Sequence, residues 1–215
     1  MGHDLWTIGH STRPIEELLA LLKAQGISLV VDVRLIPFSR RNPQFNTQAL
    51  AESLARAGLQ YQHLPALGGR RKARPNSINL GWRTAGFRGY ADYMQTEEFW
   101  GALEDLMRLA KGASFSPAHP GQALLTRPPR ACQDRLLTRG TRPFPGTAIM
   151  CAEAVPWRCH RMLIADALVA RGWMVRHILS AASAEAHSLT PFARLDHDTV
   201  TYPPSTAEEP PPRLW

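Results

Sequence analysis

Short apolar runs alternating with stretches of helical periodicity constrain this chain more than any other feature. Ser28 to Val33 (SLVVDV) is the clearest run, continuous and β-branched, as suits a strand buried on both faces. Leu5 to Ile8 precedes it; Leu59 to Leu64, Ala148 to Met150 and Met174 to Leu179 follow. Between the runs, apolar residues recur every three or four positions: Ile15, Leu18, Leu19 and Leu22; Leu50 and Leu54; Phe99, Leu103, Leu106 and Leu109; Met162, Leu163, Ala165 and Leu168. The order β-α-β-α-β-α-β-α-β predicts one three-layer, Rossmann-like α/β domain. Its sheet should be mainly parallel, of about five strands, with right-handed crossovers.

Boundary signals refine this. Ser11 or Thr12 is expected to cap the first helix with Pro14 in its first turn, and Thr47 to cap the second. Helical segments are expected around Tyr90 to Met94 and from Glu97 to Ala110. Residues 111–146 break the rhythm with six prolines and six basic groups, and read as an insertion far longer than the ~2–6 residues of an ordinary connection. The domain is read as 1–180, with 181–215 a proline-punctuated C-terminal extension.

An apolar content of 44% and a charged content of 20% belong to an ordinary globule rather than a disordered chain. No apolar run approaches the ~18 residues of a membrane span, and MGHDLWTIGH has neither a secretory pattern nor the Ser or Thr of a myristoylation signal. Three cysteines do not make a disulfide framework, so reduced thiols in a cytoplasm are expected, with no membrane partner.

The net charge of +7 is uneven. Arg70, Arg71, Lys72, Arg74, Arg83 and Arg88 fall within 70–88 without an acid, and 111–146 holds six basic groups against Asp134. Either these are solvated faces or the partner is anionic, a phosphorylated small molecule or a nucleic acid. Trp82, Phe87 and Tyr90 interleave with these arginines, suited either to base stacking or to anchoring a long loop in the core.

In a parallel sheet the strand ends converge on one edge, where ligands bind. Here they bring Gly9-His10-Ser11, Asp32-Val33-Arg34, His63 ahead of Gly68-Gly69-Arg70, and Cys151-Ala152-Glu153 ahead of Cys159-His160-Arg161. Thr7-Ile8-Gly9-His10-Ser11, Asp32-Val33-Arg34, Pro37 and Ser39, Leu67-Gly68-Gly69-Arg70, and Cys151-Ala152-Glu153…Pro156…Cys159-His160-Arg161 together resemble the domain of unknown function 488 family, over roughly residues 5–180. The resemblance implies a compact single-domain α/β protein and supplies no reaction. The insertion at 111–146 departs from the pattern, in which that helix and strand are closely joined.

Three chemistries suit the set. A cysteine at a strand end, facing a helix start with Arg158 or His160 nearby, is placed for a depressed thiol pKa and nucleophilic attack. Cys151, Cys159, His160 and His10 are soft and borderline ligands for zinc, although the gap between the cysteines is wider than in a zinc knuckle. The preferred reading is acid–base and phosphate chemistry. In it the thiols are bystanders: His10 and Glu153 or Asp32 are general acid and base, and Arg34, Arg70 and Arg161 clamp phosphate beside Ser11, Ser39 and Gly69, while Cys151, Cys159 and His160 are the catalytic candidates of the thiol reading. No cofactor is expected, zinc being the one metal the ligands suit. An enzyme acting on a phosphate-bearing substrate follows. The rivals are a non-catalytic nucleic-acid-binding module and a cysteine-dependent transferase or redox protein.

Overall fold

The computed structural model describes residues 3–112 and 146–204; the rest of the expected insertion lies outside the described residues. Five parallel strands form the sheet: β1 (Asp4–Gly9), β2 (Ile27–Asp32), β3 (Gln60–His63), β4 (Gly146–Cys151) and β5 (Met174–Ile178). A short sixth, β6 (Ala184–Ala186), adds antiparallel to β5, and the spatial order is β3-β2-β4-β1-β5-β6. The helices are α1 (Ile15–Ala24), α2 (Thr47–Arg56), α3 (Ala85–Tyr93), α4 (Glu97–Ala110) and α5 (Arg161–Ala170). This is the expected mixed α/β architecture with a mainly parallel sheet, one strand wider than expected. Among the described residues no helix is long and apolar enough to cross a membrane.

The strands are apolar on both faces because both faces are covered. Along β2, Val30 packs with α1 and α2 (Leu18, Leu22, Leu50, Leu54), while Leu29 and Val31 pack with α4 and α5 (Leu103, Leu106, Leu163, Leu168). Each fully buried valine contributes about 1.5 kcal/mol or more of transfer free energy. Along β4 the same alternation sends Ala148 and Met150 to the first layer and Ile149 and Cys151 to the second. Since β4 sits between β2 and β1, whose helices lie on the opposite layer from α5, its carboxyl end opens into the crevice where such folds bind ligands.

The helix starts differ from expectation. Pro14 stands at the N-cap of α1 and no side chain caps it. Ser11 takes a left-handed backbone (φ 50) and donates its N–H to Ala152 O instead, prolonging the β1–β4 ladder. Asn46 rather than Thr47 precedes α2, and the Thr47 hydroxyl donates to Pro37 O.

The chain beyond residue 180 is more than an extension. His187 N donates to Val175 O, and Val200 and Tyr202 are fully buried. The hairpin of β7 (Arg194–Asp196) and β8 (Thr199–Thr201) carries them to α5. Trp82 stacks on Phe87 at 4.7 Å and meets Phe192 and Tyr202 edge-on or tilted, so it anchors the basic loop to this segment. Asp92 sets the loop's course by accepting from Arg74 N, the Ser77 hydroxyl and the Asn79 amide.

Candidate functional site

At the end of β4, Cys151 and Cys159 meet His160. The imidazole Nδ1 lies 3.6 Å from Cys159 Sγ and 3.9 Å from Cys151 Sγ. Its other nitrogen, Nε2, lies 3.1 Å from Val33 O. A carbonyl only accepts, so Nε2 carries a hydrogen, and Nδ1 is the ring nitrogen turned toward both sulfurs. Both cysteines are free and buried. Burial pushes the Cys159 thiol up, but the hydrogen bond from Cys151, His160 and the charge of Arg161 outweigh it, so Cys159 ends well below an ordinary thiol. Cys151, hydrogen-bonded to Cys159 and buried, keeps its proton and ends well above.

Two glycines make room. A Cβ on Gly69 would fall 2.9 Å from His160 Nδ1 and 3.2 and 3.3 Å from the ring carbons beside it, so a side chain there would press on the face of the imidazole. A Cβ on Gly9 would fall 1.8 Å from Glu153 O, where the β1 end and the loop after β4 touch.

Arg161 is 1% exposed and makes no carboxylate ion pair among the described residues. Its Nε donates to Cys159 Sγ (3.4 Å), Nη1 to the Thr7 hydroxyl (3.1 Å) and Nη2 to Glu153 O (2.6 Å). From Thr7 a chain of buried polar groups continues. Thr7 Oγ1 is 2.8 Å from His177 Nδ1, His177 Nε2 is 2.9 Å from His187 Nδ1, and His187 Nε2 is 2.8 Å from Asp166 Oδ1. Arg161 can only donate and Asp166 only accept; with one hydrogen on each imidazole, Thr7 donates to His177 Nδ1, His177 Nε2–H to His187 Nδ1, and His187 Nε2–H to Asp166. Burial, the neighbouring His187 and Arg161 hold His177 neutral, its pKa lowered to about 3. Asp166 also accepts from Thr190 N, the Thr190 hydroxyl and the Tyr202 hydroxyl.

The other arginine at this edge is held differently. Arg34 pairs with the fully buried Asp32 through Nε and Nη2, donates also to Phe45 O, and lies 3.2 Å from His10 Nε2 through Nη1. Asp32 accepts further from Arg34 N and the Tyr61 hydroxyl. His10 Nδ1 donates to Ser11 O, so its Nε2 lone pair accepts from Arg34, and the ring stacks on Phe45 at 4.2 Å. Burial together with Arg34 lowers its pKa to about 4.

The structure thus brings Cys151, Cys159, His160, Arg161 and Gly69 together, with His10, Asp32 and Arg34 forming a separate cluster beside them. Arg34 and Arg161 point their donors inward. Glu153 is exposed, its carbonyl rather than its carboxylate serving the site. Ser39 organises its loop, accepting from Asn42 N and donating its own N–H to Asn46 Oδ1. Arg70 is exposed with a left-handed backbone. Trp82 and Tyr90 are core residues, and Tyr90 leans on the His160 ring at 5.0 Å. The exposed aromatics of this edge are Phe38 and Trp157, 65% and 40% exposed, on the loops after β2 and β4. Sequence reasoning missed Thr7, Asp166, His177 and His187; the one signal was a carboxylate, Asp166, amid the apolar residues of a helix buried along most of its length.

A family model described as Domain of unknown function DUF488 matches residues 14–116 and 122–168. No curated protein and no solved structure matches the chain.

Proposed function

Because the chain belongs to the domain of unknown function DUF488 family, whose name records no reaction, its function must be read from its own site. We propose that it is an enzyme acting on a phosphate-bearing substrate, a nucleotide or a single-stranded nucleic acid, held over the crevice at the end of β4. One observation carries this reading. The loops leaving β2, β3 and β4, at the sheet edge that holds the buried Cys151–Cys159–His160–Arg161 group, carry exposed Arg40, Arg41, Arg70 and Arg158 and exposed Phe38 and Trp157. Arginines suit phosphate oxygens bidentately, and every base offers a face to an aromatic ring. Arg34 and Arg161, spent on internal partners, support the walls rather than the substrate.

The test is fluorescence anisotropy with a labelled single-stranded oligonucleotide across a salt series, with nucleotides as competitors. Four phosphate contacts would give log K against log salt a slope of about −3, and replacing Arg40, Arg41 and Arg158 together by alanine should flatten it by about 2. Trp157→Ala should weaken binding by about 1–3 kcal/mol. Cys159→Ser should leave this affinity alone while removing turnover. Binding that ignores salt, or that survives the triple substitution unchanged, would reject the reading.

A further inference from the structure

We infer that Cys151, Cys159 and His160 are a zinc site of catalytic type, three protein ligands with the fourth position open. This goes beyond the substrate reading and does not depend on it.

The distances make the first argument. Zinc bonds of ~2.3 Å to sulfur and ~2.0–2.1 Å to nitrogen, at tetrahedral angles, place a thiolate about 3.5 Å from an imidazole nitrogen. The two sulfurs lie 3.6 and 3.9 Å from His160 Nδ1, and all three ligand atoms fall within 4.8 Å of one another. The seven residues between the cysteines, too many for a knuckle, are spanned because one ligand ends a strand and the other two open the helix that follows.

Orientation supplies the second argument. A ligating histidine needs its free lone pair on the metal side and its N–H held by an outer acceptor. His160 has that arrangement, with Nε2–H on Val33 O and Nδ1 toward the sulfurs. Arg161 Nε–H on Cys159 Sγ is the matching outer contact on the thiolate.

The third is access. A nucleophile must present its sulfur to a substrate, whereas a ligand need only present it to an ion. Cys151 and Cys159 are 8% and 3% exposed, which favours the ion. Gly69 leaves the face of the His160 ring uncrowded at Nδ1, and the three protein ligands leave a fourth position for a water or a phosphoryl oxygen. Zinc held there would lower the pKa of its bound water.

The experiment is metal analysis of the full chain purified from zinc-supplemented medium, followed by cobalt(II) titration of the chelator-treated protein. About one zinc per chain is expected, and cobalt should give tetrahedral visible bands with a thiolate-to-cobalt charge-transfer band. Cys151→Ser should roughly halve that band, His160→Ala should weaken binding at least a hundredfold while keeping thiolate character, and Cys132→Ser should change nothing. Circular dichroism checks the fold of each variant. If a variant does not fold, the wild-type spectrum decides, and a band without two-thiolate intensity overturns the site. No metal at micromolar affinity, metal retained in both Cys159→Ser and His160→Ala, or a requirement for Cys132 overturns it equally. Because oligonucleotide affinity is read separately, a failed metal site and a failed substrate reading are distinguishable.

Discussion

Arg34 and Arg161 are both buried at the carboxyl edge of the sheet, and they are satisfied in opposite ways. Arg34 meets a carboxylate at once, Asp32 lying 2.6 Å away, and its other donors go to a carbonyl and a neutral imidazole. The pair is locally neutral and closed. Arg161 meets a thiol sulfur, a hydroxyl and a carbonyl, and its carboxylate, Asp166, stands three hydrogen-bonded groups further on. Its charge therefore remains felt at Cys159. The difference teaches what a buried arginine does: paired directly it holds loops together, and paired at a distance it polarises whatever lies between.

The sharpest way to break this comparison is to remove the two anions in turn. Asp32→Ala strands a buried guanidinium and the Tyr61 hydroxyl, and should cost about 3–5 kcal/mol in urea denaturation. Cys159→Ser in chelator-treated protein leaves Arg161 its hydroxyl and carbonyl acceptors and should cost only about 1–2 kcal/mol. Equal costs would mean that the two arginines are held alike.

A smaller effect comes from pH. His177 has its folded pKa lowered to about 3, from an unfolded value near 6.5. Below pH 6.5 the unfolded chain takes the proton first, so stability falls as pH drops from about 6.5 to about 3 and levels off beneath that. Across that whole window the loss is on the order of 5 kcal/mol, and about 3 kcal/mol of it is already gone by pH 4. His177→Asn should flatten that part of the profile when urea midpoints are measured between pH 7 and pH 4. An unchanged slope would show that the chain from Arg161 to Asp166 does not depend on a neutral His177.

Much of the architecture was legible because it rests on local periodicity. The continuous SLVVDV run could be little but a buried strand, and the stripe Phe99, Leu103, Leu106, Leu109 marked α4. Cys151, Cys159 and His160 were legible as a group because one loop carries them all. What escaped was long-range. Thr7 and His177 are 170 residues apart and meet only because β1 pairs with β5. An arginine in sequence reads as a solvent-facing cation, and although Asp32 stands close enough in sequence to orient Arg34, nothing local says that Thr7, 154 residues away, will turn Arg161 inward. The proline-rich tail suggested an extended segment because composition averages over residues, whereas burial is decided by single ones such as Val200 and Tyr202.

The finest test of the comparison is Thr7→Val. Valine keeps the shape and β-branching that a fully buried strand position needs, so the change removes a hydroxyl and little else. That hydroxyl accepts from Arg161 and donates to His177, and losing it leaves a donor and an acceptor unpaired in the interior. The expected cost is about 1–2 kcal/mol. Thr7→Ser retains the hydroxyl and should recover most of it after allowance for the lost methyl. Nitrogen NMR of the His177 ring supplies the independent check, since Nδ1 should lose the signature of an accepted hydrogen bond in the valine variant and keep it in the serine one. If valine is as stable as threonine and the ring signal does not move, Arg161 and Asp166 are not linked through Thr7. Arg161 would then be balanced by Cys159 alone, which makes the sulfur, rather than the distant carboxylate, the partner that fixes its charge.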